Sequence, residues 1–226
     1  MESENDSFHS GVFSKEELVR RIHLTADNPK KLFVTPLIDE EKQVDHSTIT
    51  IRLASEFVLF RRAKYSNIDP LNLVQNDLKR PSPYEYQERV YVELGDRIIL
   101  HAHQMILGST LEYIGLPEDM IGQITSRSSW GRLGLITATA SIVHPTFKGV
   151  LTLELVNDGD TPITLYPGSQ IAQILLLYAE PQKQGKIIET RYLYDTSPQF
   201  SQIYKDKEWP IILKMRKEKG KFPRDY

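Results

Sequence analysis

The chain has 226 residues, 40% of them hydrophobic, which is enough for one well-buried domain with extended ends. Lys and Arg number 28 against 30 Asp and Glu, and the formal net charge of −2 argues against a general grip on a nucleic acid polymer. There is no cysteine, so disulfide frameworks and cysteine-ligated zinc are excluded.

Residues 1–13 form a polar lead of Ser, Glu, Asn and His that offers little to bury and is expected to be flexible. Ser14-Lys15-Glu16-Glu17 then predicts a capping box. Ser14 accepts from first-turn N–H groups and Glu17 reaches back, while Leu18 and Ile22 mark one apolar face of a short helix. Strands are predicted over Leu32 to Leu37, Thr48 to Phe60, Arg89 to Leu94, Arg97 to Ile106, Gly122 to Ser126, Val150 to Val156, Thr161 to Leu165 and Gln170 to Tyr178. They are short, β-rich and separated by Pro, Gly, Asn or Asp. This rhythm predicts a mainly all-β fold, a distorted double-sheet barrel or jelly roll with a short N-terminal helix and few others. Tyr65 to Tyr86, with Pro70, Pro81 and Pro83, is too proline-rich for a central strand and reads as an irregular insertion. Residues 207–226 read as a basic surface extension beyond a single domain over 14–206. No apolar segment follows Met1, and the most apolar stretch, Ile171 to Tyr178, is short and interrupted by Gln173. Neither export nor membrane insertion is expected, and the chain is assigned to the cytoplasm.

The chemistry concentrates in Ser126-Arg127-Ser128-Ser129-Trp130-Gly131-Arg132-Leu133-Gly134-Leu135, then His144-Pro145-Thr146-Phe147-Lys148-Gly149, then Leu151 to Leu155. A serine-rich turn with two arginines supplies hydroxyls, backbone N–H groups and fixed positive charge to an oligophosphate. Such a turn is also commonly just a capped turn. Glu154 is a carboxylate in the middle of an aliphatic strand. Partial desolvation there raises a carboxyl pKa toward the range useful for acid–base work. The plainer alternative is a solvent-facing strand residue, because alternation sets Thr152 and Glu154 opposite Leu151, Leu153 and Leu155. The close pair His101-x-His103 falls in a predicted strand without a carboxylate partner, and metal binding is not expected there.

In their order these segments resemble the dCTP deaminase branch of the dCTP deaminase and dUTPase superfamily. Its pattern is G-R-S-S-x-x-R-L-G-L, then I-D-P-G-F/W-x-G, then a strand containing L-E. The resemblance extends upstream through Ile98 to Leu116 and Pro117 to Gly122. Downstream it takes in Tyr166-Pro167-Gly168-Ser169-Gln170-Ile171-Ala172-Gln173-Ile174 and Tyr194 to Tyr204. Several ordered motifs at compatible spacing are more specific than any one of them.

The resemblance implies a hydrolytic deamination of dCTP to dUTP and ammonia, with Glu154 as general base and acid and Ser128 and Arg132 around it. Arg127, Ser128, Ser129, Gln173 and Tyr194 would bind the triphosphate. Phe147 would pack on the deoxyribose, with His144 and the backbone of Ala140 on the sugar and base side. Mg²⁺ would be carried by the phosphates and not by protein side chains. Zinc is not expected, since without cysteine the H-x-E and P-C-x-x-C signature of zinc nucleobase deaminases is impossible. The resemblance also implies a homotrimer with sites between subunits.

The match departs from the pattern at His144, which stands for Asp, and at Thr50 of Thr48-Ile49-Thr50-Ile51-Arg52-Leu53, which also stands for Asp. The segment from Leu135 to Val143 is one residue short. The alternatives are a bifunctional enzyme that also converts dUTP to dUMP, a dUTPase, and, from another class, a non-catalytic nucleotide-binding regulator.

Overall fold

The computed structural model describes residues 11–61, 68, 70–71, 87–181 and 192–219. Almost all of the expected insertion at 65–86, and residues 220–226 of the expected extension, lie outside the described residues. The chain divides into two compact units, residues 1–59 with 89–199 and residues 60–88 with 200–226.

In the first unit, α1 (Lys15–Ile22) is capped by Ser14, whose hydroxyl accepts from Glu17 N. Only half of the expected capping box forms. The Glu17 carboxylate binds Arg20 at 2.6 Å and Arg21 at 2.8 Å, because charged partners one turn ahead outcompete a backbone N–H behind. The lead is anchored by its last residues: Val12 bridges Leu177, and Phe13 is buried in the core.

The strands are β1 (Phe33–Thr35), β2 (Val44–Asp45), β3 (Thr48–Arg52), β4 (Glu56–Phe60), β5 (Gln87–Tyr91), β6 (Ile98–Leu100), β7 (Met105–Ser109) and β8 (Tyr113–Gly115). They continue with β9 (Met120–Ser126), β10 (Leu135–Thr137), β11 (Ile142–Val143), β12 (Lys148–Gly149), β13 (Thr152–Asn157), β14 (Ile163–Leu165) and β15 (Gln170–Tyr178). There are two five-stranded sheets, ordered β10-β13-β7-β4-β5 and β11-β9-β15-β3-β2, and two smaller ones, β1-β8-β12 and β14-β6. The named pairs are antiparallel, and the leucines, isoleucines and valines of their inner faces form one core. This is the mainly β, double-sheet architecture expected from the strand rhythm.

Two predicted strands are each broken in two. Thr48 to Phe60 divides at Leu53–Ser55, because β3 pairs with β15 in one sheet and β4 with β7 in the other. Arg97 to Ile106 divides at a turn where Gln104 N donates to His101 O and His103 has φ 57°, as the chain passes from β6 to β7. Both breaks are corners where a strand changes sheet, and each falls on a short polar interruption, Ser55-Glu56 in one run and His101 to Gln104 in the other. In the second unit, residues 209–219 form a helix with Lys214, Arg216 and Lys217 exposed, and the Trp209 indole donates to Ile203 O.

Candidate active site

Alternation along Thr152–Asn157 buries Leu153, Leu155 and Asn157 and leaves Thr152, Glu154 and Val156 half-buried on the opposite face. Glu154 sits on β13 between β10 and β7, opposite Leu107. Burial pushes its carboxyl above the usual range. No side-chain hydrogen bond or ion pair to that carboxylate forms among the described residues. The backbone around it is closely held: Glu154 N donates to Thr139 Oγ1 at 2.8 Å, and Ala138 N donates to Glu154 O at 2.8 Å. The segment 138–141 is thereby tied to the strand that carries the glutamate. Ala140 is exposed within it.

The serine turn begins where β9 ends. Arg127 precedes a four-residue helical turn, Ser128–Gly131, whose hydrogen bonds include Gly131 N to Arg127 O at 3.2 Å and Arg132 N to Ser128 O at 3.1 Å. Ser128, Ser129 and Arg132 are exposed. Arg127 Nη1 donates to Gln170 Oε1, and the Trp130 indole donates to Gln170 O at 2.8 Å. The turn connects to Glu154 through β10: Thr137 N donates to Ser126 Oγ at 3.3 Å, and Thr137 pairs with Leu155. Within one chain neither Ser128 nor Arg132 bonds to Glu154.

Gln173, on β15, lies between Thr125 of β9 and Thr50 of β3, so three polar side chains follow one another across the sheet. Thr50 is buried, its carbonyl taking a hydrogen bond from Gln43 at 3.2 Å. Tyr194 is 65% exposed in the left-handed region at φ 64°, fixed by its N–H to Lys148 O at 2.6 Å. Val150 N in turn donates to Asp195 O at 2.8 Å, so residues 194–195 flank β12. Phe147 is only 7% exposed and belongs to the core. Its ring tip and the Asp195 backbone both press on Gly149, where an added Cβ would meet each at 3.3 Å. His144 is exposed, and its carbonyl accepts from Phe147 N at 3.3 Å across a turn with Thr146 at φ 66°. Thr146 stands where the family pattern has glycine, and a β-branched residue there carries backbone strain.

His101 and His103 lie in a turn and not in a strand. His103 does have an acidic neighbour, its Nε2 being 3.3 Å from Asp160 Oδ1, because the turn swings it toward the loop before β14. No group of three or more His, Cys, Asp or Glu among the described residues is placed to hold a metal ion. Nothing in the sequence marks Thr139 or Gln170 for a role here. Gln170 was visible inside the Pro167–Ile174 motif, but nothing in the motif signals that it carries the serine turn.

Residues 12–178 match the dCTP deaminase-like family. The chain belongs to that family. It is 36% identical over 182 residues to the dCTP deaminase of Natronomonas pharaonis, covering 79% of this chain and 90% of that protein. It is 37% identical over 186 residues to a dUMP-forming dCTP deaminase of Methanothermobacter thermautotrophicus, covering 77% of this chain and 87% of the relative. Its fold resembles the crystal structure of 2′-deoxycytidine 5′-triphosphate deaminase from Agrobacterium tumefaciens, with a TM-score of 0.55 and 22% identity. That alignment covers 76% of this chain and 47% of the Agrobacterium chain, so this family member spans about half of it.

Proposed function

We propose that this family member deaminates dCTP to dUTP and ammonia, with Glu154 as general base and then general acid. The observation that carries the reading is a half-buried strand carboxylate with a raised pKa and no side-chain partner among the described residues, beside a segment tied to it through Thr139. Water loses a proton to Glu154 as its oxygen attacks the amino-bearing carbon of the cytosine ring. Ring N3 takes up that proton; Glu154 then removes the proton of the new hydroxyl and delivers it to the amino group, so the C=O forms as the C–N bond breaks, ammonia leaves, and the carboxylate returns to its starting state. A carboxyl raised above its ordinary range is a stronger base toward the water; once protonated it is a weaker acid than an ordinary carboxyl, yet still acidic enough to protonate a leaving amine, so one group can serve both transfers. Ser128 holds the water and Arg132 orients Glu154. Since neither reaches Glu154 within one chain, the reading requires a homotrimer in which the exposed serine turn of one copy completes the Glu154 face of another.

Arg127, Ser128, Ser129, Gln173 and Tyr194 take the triphosphate. This donor set is cationic and hydroxylic, so it fits an oligophosphate and not a bare cation; Mg²⁺ would travel on the phosphates and neutralise part of their charge. Phe147, His144 and Ala140 form the sugar and base side.

The names of several relatives, among them the dUMP-forming dCTP deaminases of Methanothermobacter thermautotrophicus and Methanobrevibacter smithii, favour a second reading in which dUTP is further converted to dUMP and pyrophosphate. A panel of dCTP, CTP, dUTP and dCMP with Mg²⁺, assayed for ammonia and pyrophosphate, separates the two. Ammonia and dUTP from dCTP alone support the deaminase, whereas dUMP with pyrophosphate supports the bifunctional enzyme. No turnover of any nucleotide would overturn both. Sedimentation at micromolar concentration is expected to give a trimer; a monomer would remove Ser128 and Arg132 from the site.

A further inference from the structure

Successive residues of a regular strand face opposite sides. On β15 the side chains of Ala172, Ile174 and Leu176 are buried, so strict alternation would carry Gln170 inward with them. The register against β3 slips between Gln170 and Ala172, which marks a bulge in the strand. Ile171 and Ala172 are in consequence both buried, and Gln170 is turned to the half-buried side that also holds Gln173. Bulges of this kind re-aim a side chain, and they concentrate beside functional sites.

The re-aimed residue carries the serine turn through two hydrogen bonds. Its amide Oε1 accepts from Arg127 Nη1, and its backbone carbonyl accepts from the Trp130 indole at 2.8 Å. The Arg127 guanidinium makes no other hydrogen bond or ion pair among the described residues. Most of its five N–H donors thus stay free for a ligand. An arginine side chain is long and loses much rotamer freedom when it is ordered on binding.

We infer that Gln170 is the positioning residue of the triphosphate site: it fixes Arg127 through one nitrogen and Trp130 through its carbonyl, leaving the remaining guanidinium donors aimed at the phosphates. The inference rests on the phosphate role of Arg127 in the function proposed above. Gln170 does not touch the reacting atoms.

The test is a double-mutant cycle of Gln170→Ala and Arg127→Ala in the full chain, read by dCTP kinetics and by calorimetric binding of inorganic tripolyphosphate and dCMP. Gln170→Ala is expected to raise KM for dCTP and weaken tripolyphosphate binding by about threefold to tenfold, with kcat unchanged. Binding of dCMP, which lacks the β and γ phosphates, is expected to be unaffected. The double variant is expected to match Arg127→Ala alone, since Gln170 acts only through that side chain. Additive losses, an equal loss for dCMP, or tighter binding after Gln170→Ala would each overturn the inference, the last by showing that Gln170 restrains Arg127 from the ligand. Gln170→Leu keeps the side-chain volume and must give the same pattern; failure of both variants to fold would assign Gln170 to the fold alone. If the wild-type chain leaves dCTP unchanged while the tripolyphosphate cycle behaves as expected, the positioning role stands and the deaminase reading falls. Normal dCTP turnover with an unresponsive cycle overturns the positioning role and leaves the deaminase reading standing.

Discussion

Glu112, after β7, and Glu154, on β13, are both glutamates whose carboxyls burial pushes upward, yet their surroundings differ completely. Glu112 is 0% exposed and fully engaged. Its Oε1 accepts from Gln43 Nε2 at 3.0 Å and its Oε2 from Arg52 N at 2.8 Å, with the Arg52 guanidinium 3.5 Å from Oε1. Gln43 in turn holds Ile38 N and Asp39 N on its Oε1 and Thr50 O on its Nε2. Both carboxylate oxygens of Glu112 are thus spent on the fold, whereas Glu154 is half-buried and its carboxylate has no side-chain partner among the described residues. A buried carboxylate with all its bonds made is structural, and one that is desolvated but unpartnered is available for chemistry.

Substitution at Glu154 has the largest expected effect. Glu154→Gln is expected to lower dCTP turnover by roughly 10²- to 10⁴-fold while nucleotide binding persists, because the amide keeps the shape and loses the proton transfer. Retained turnover in a deamination assay would transfer the acid–base role to another residue. Next in size, Glu112→Ala is expected to cost about 3–5 kcal/mol in urea unfolding, since it leaves the Arg52 guanidinium buried without its counter-charge. A cost near that of a surface substitution would show that the network is not holding the corner. Gln43→Ala is expected to cost less, about 1–3 kcal/mol by the same measurement, because the Glu112 carboxylate it exposes keeps its bond to Arg52 N and the Arg52 counter-charge.

The smallest effect is on stability at Glu154 itself. Its folded pKa is raised, so the folded state binds the proton more tightly than the unfolded chain does. The stability this contributes is present at pH below the ordinary carboxyl range and is lost as pH rises through the folded value. Glu154→Gln is therefore expected to melt slightly above the wild-type chain at neutral pH, with the difference vanishing in acid. A difference that grows in acid would mean that the carboxylate is stabilised as the anion in the folded state.

Much of this was legible in the residues. The order of the serine turn, His144–Gly149 and the Glu154 strand carries the family, and the alternation of Leu151 to Leu155 places Glu154 on the outer face, as found. Ser14 caps α1 as its position implies. Local signals of this sort survive because they depend only on neighbours within a turn or on the two-residue period of a strand. The division of Thr48 to Phe60 had only a weak signal, the short polar interruption Ser55-Glu56 between two apolar runs, whereas the change of hydrogen-bond partner from β15 to β7 is a long-range event. The pairing of Glu17 with Arg20 and Arg21 was not legible, where two nearby cations compete for a carboxylate that the capping pattern assigns elsewhere.

The ordered motifs carry the family through their resemblance to it, and the two-residue period of short segments carries the mainly β class. Which glutamate is satisfied and which keeps an unpartnered carboxylate among the described residues, where strands change sheet, and the bulge that turns Gln170 toward Arg127 emerge only in the folded chain. Those outcomes depend on partners dozens of residues away in the chain, and burial and hydrogen bonding are properties of the assembled neighbours and not of the residue that experiences them.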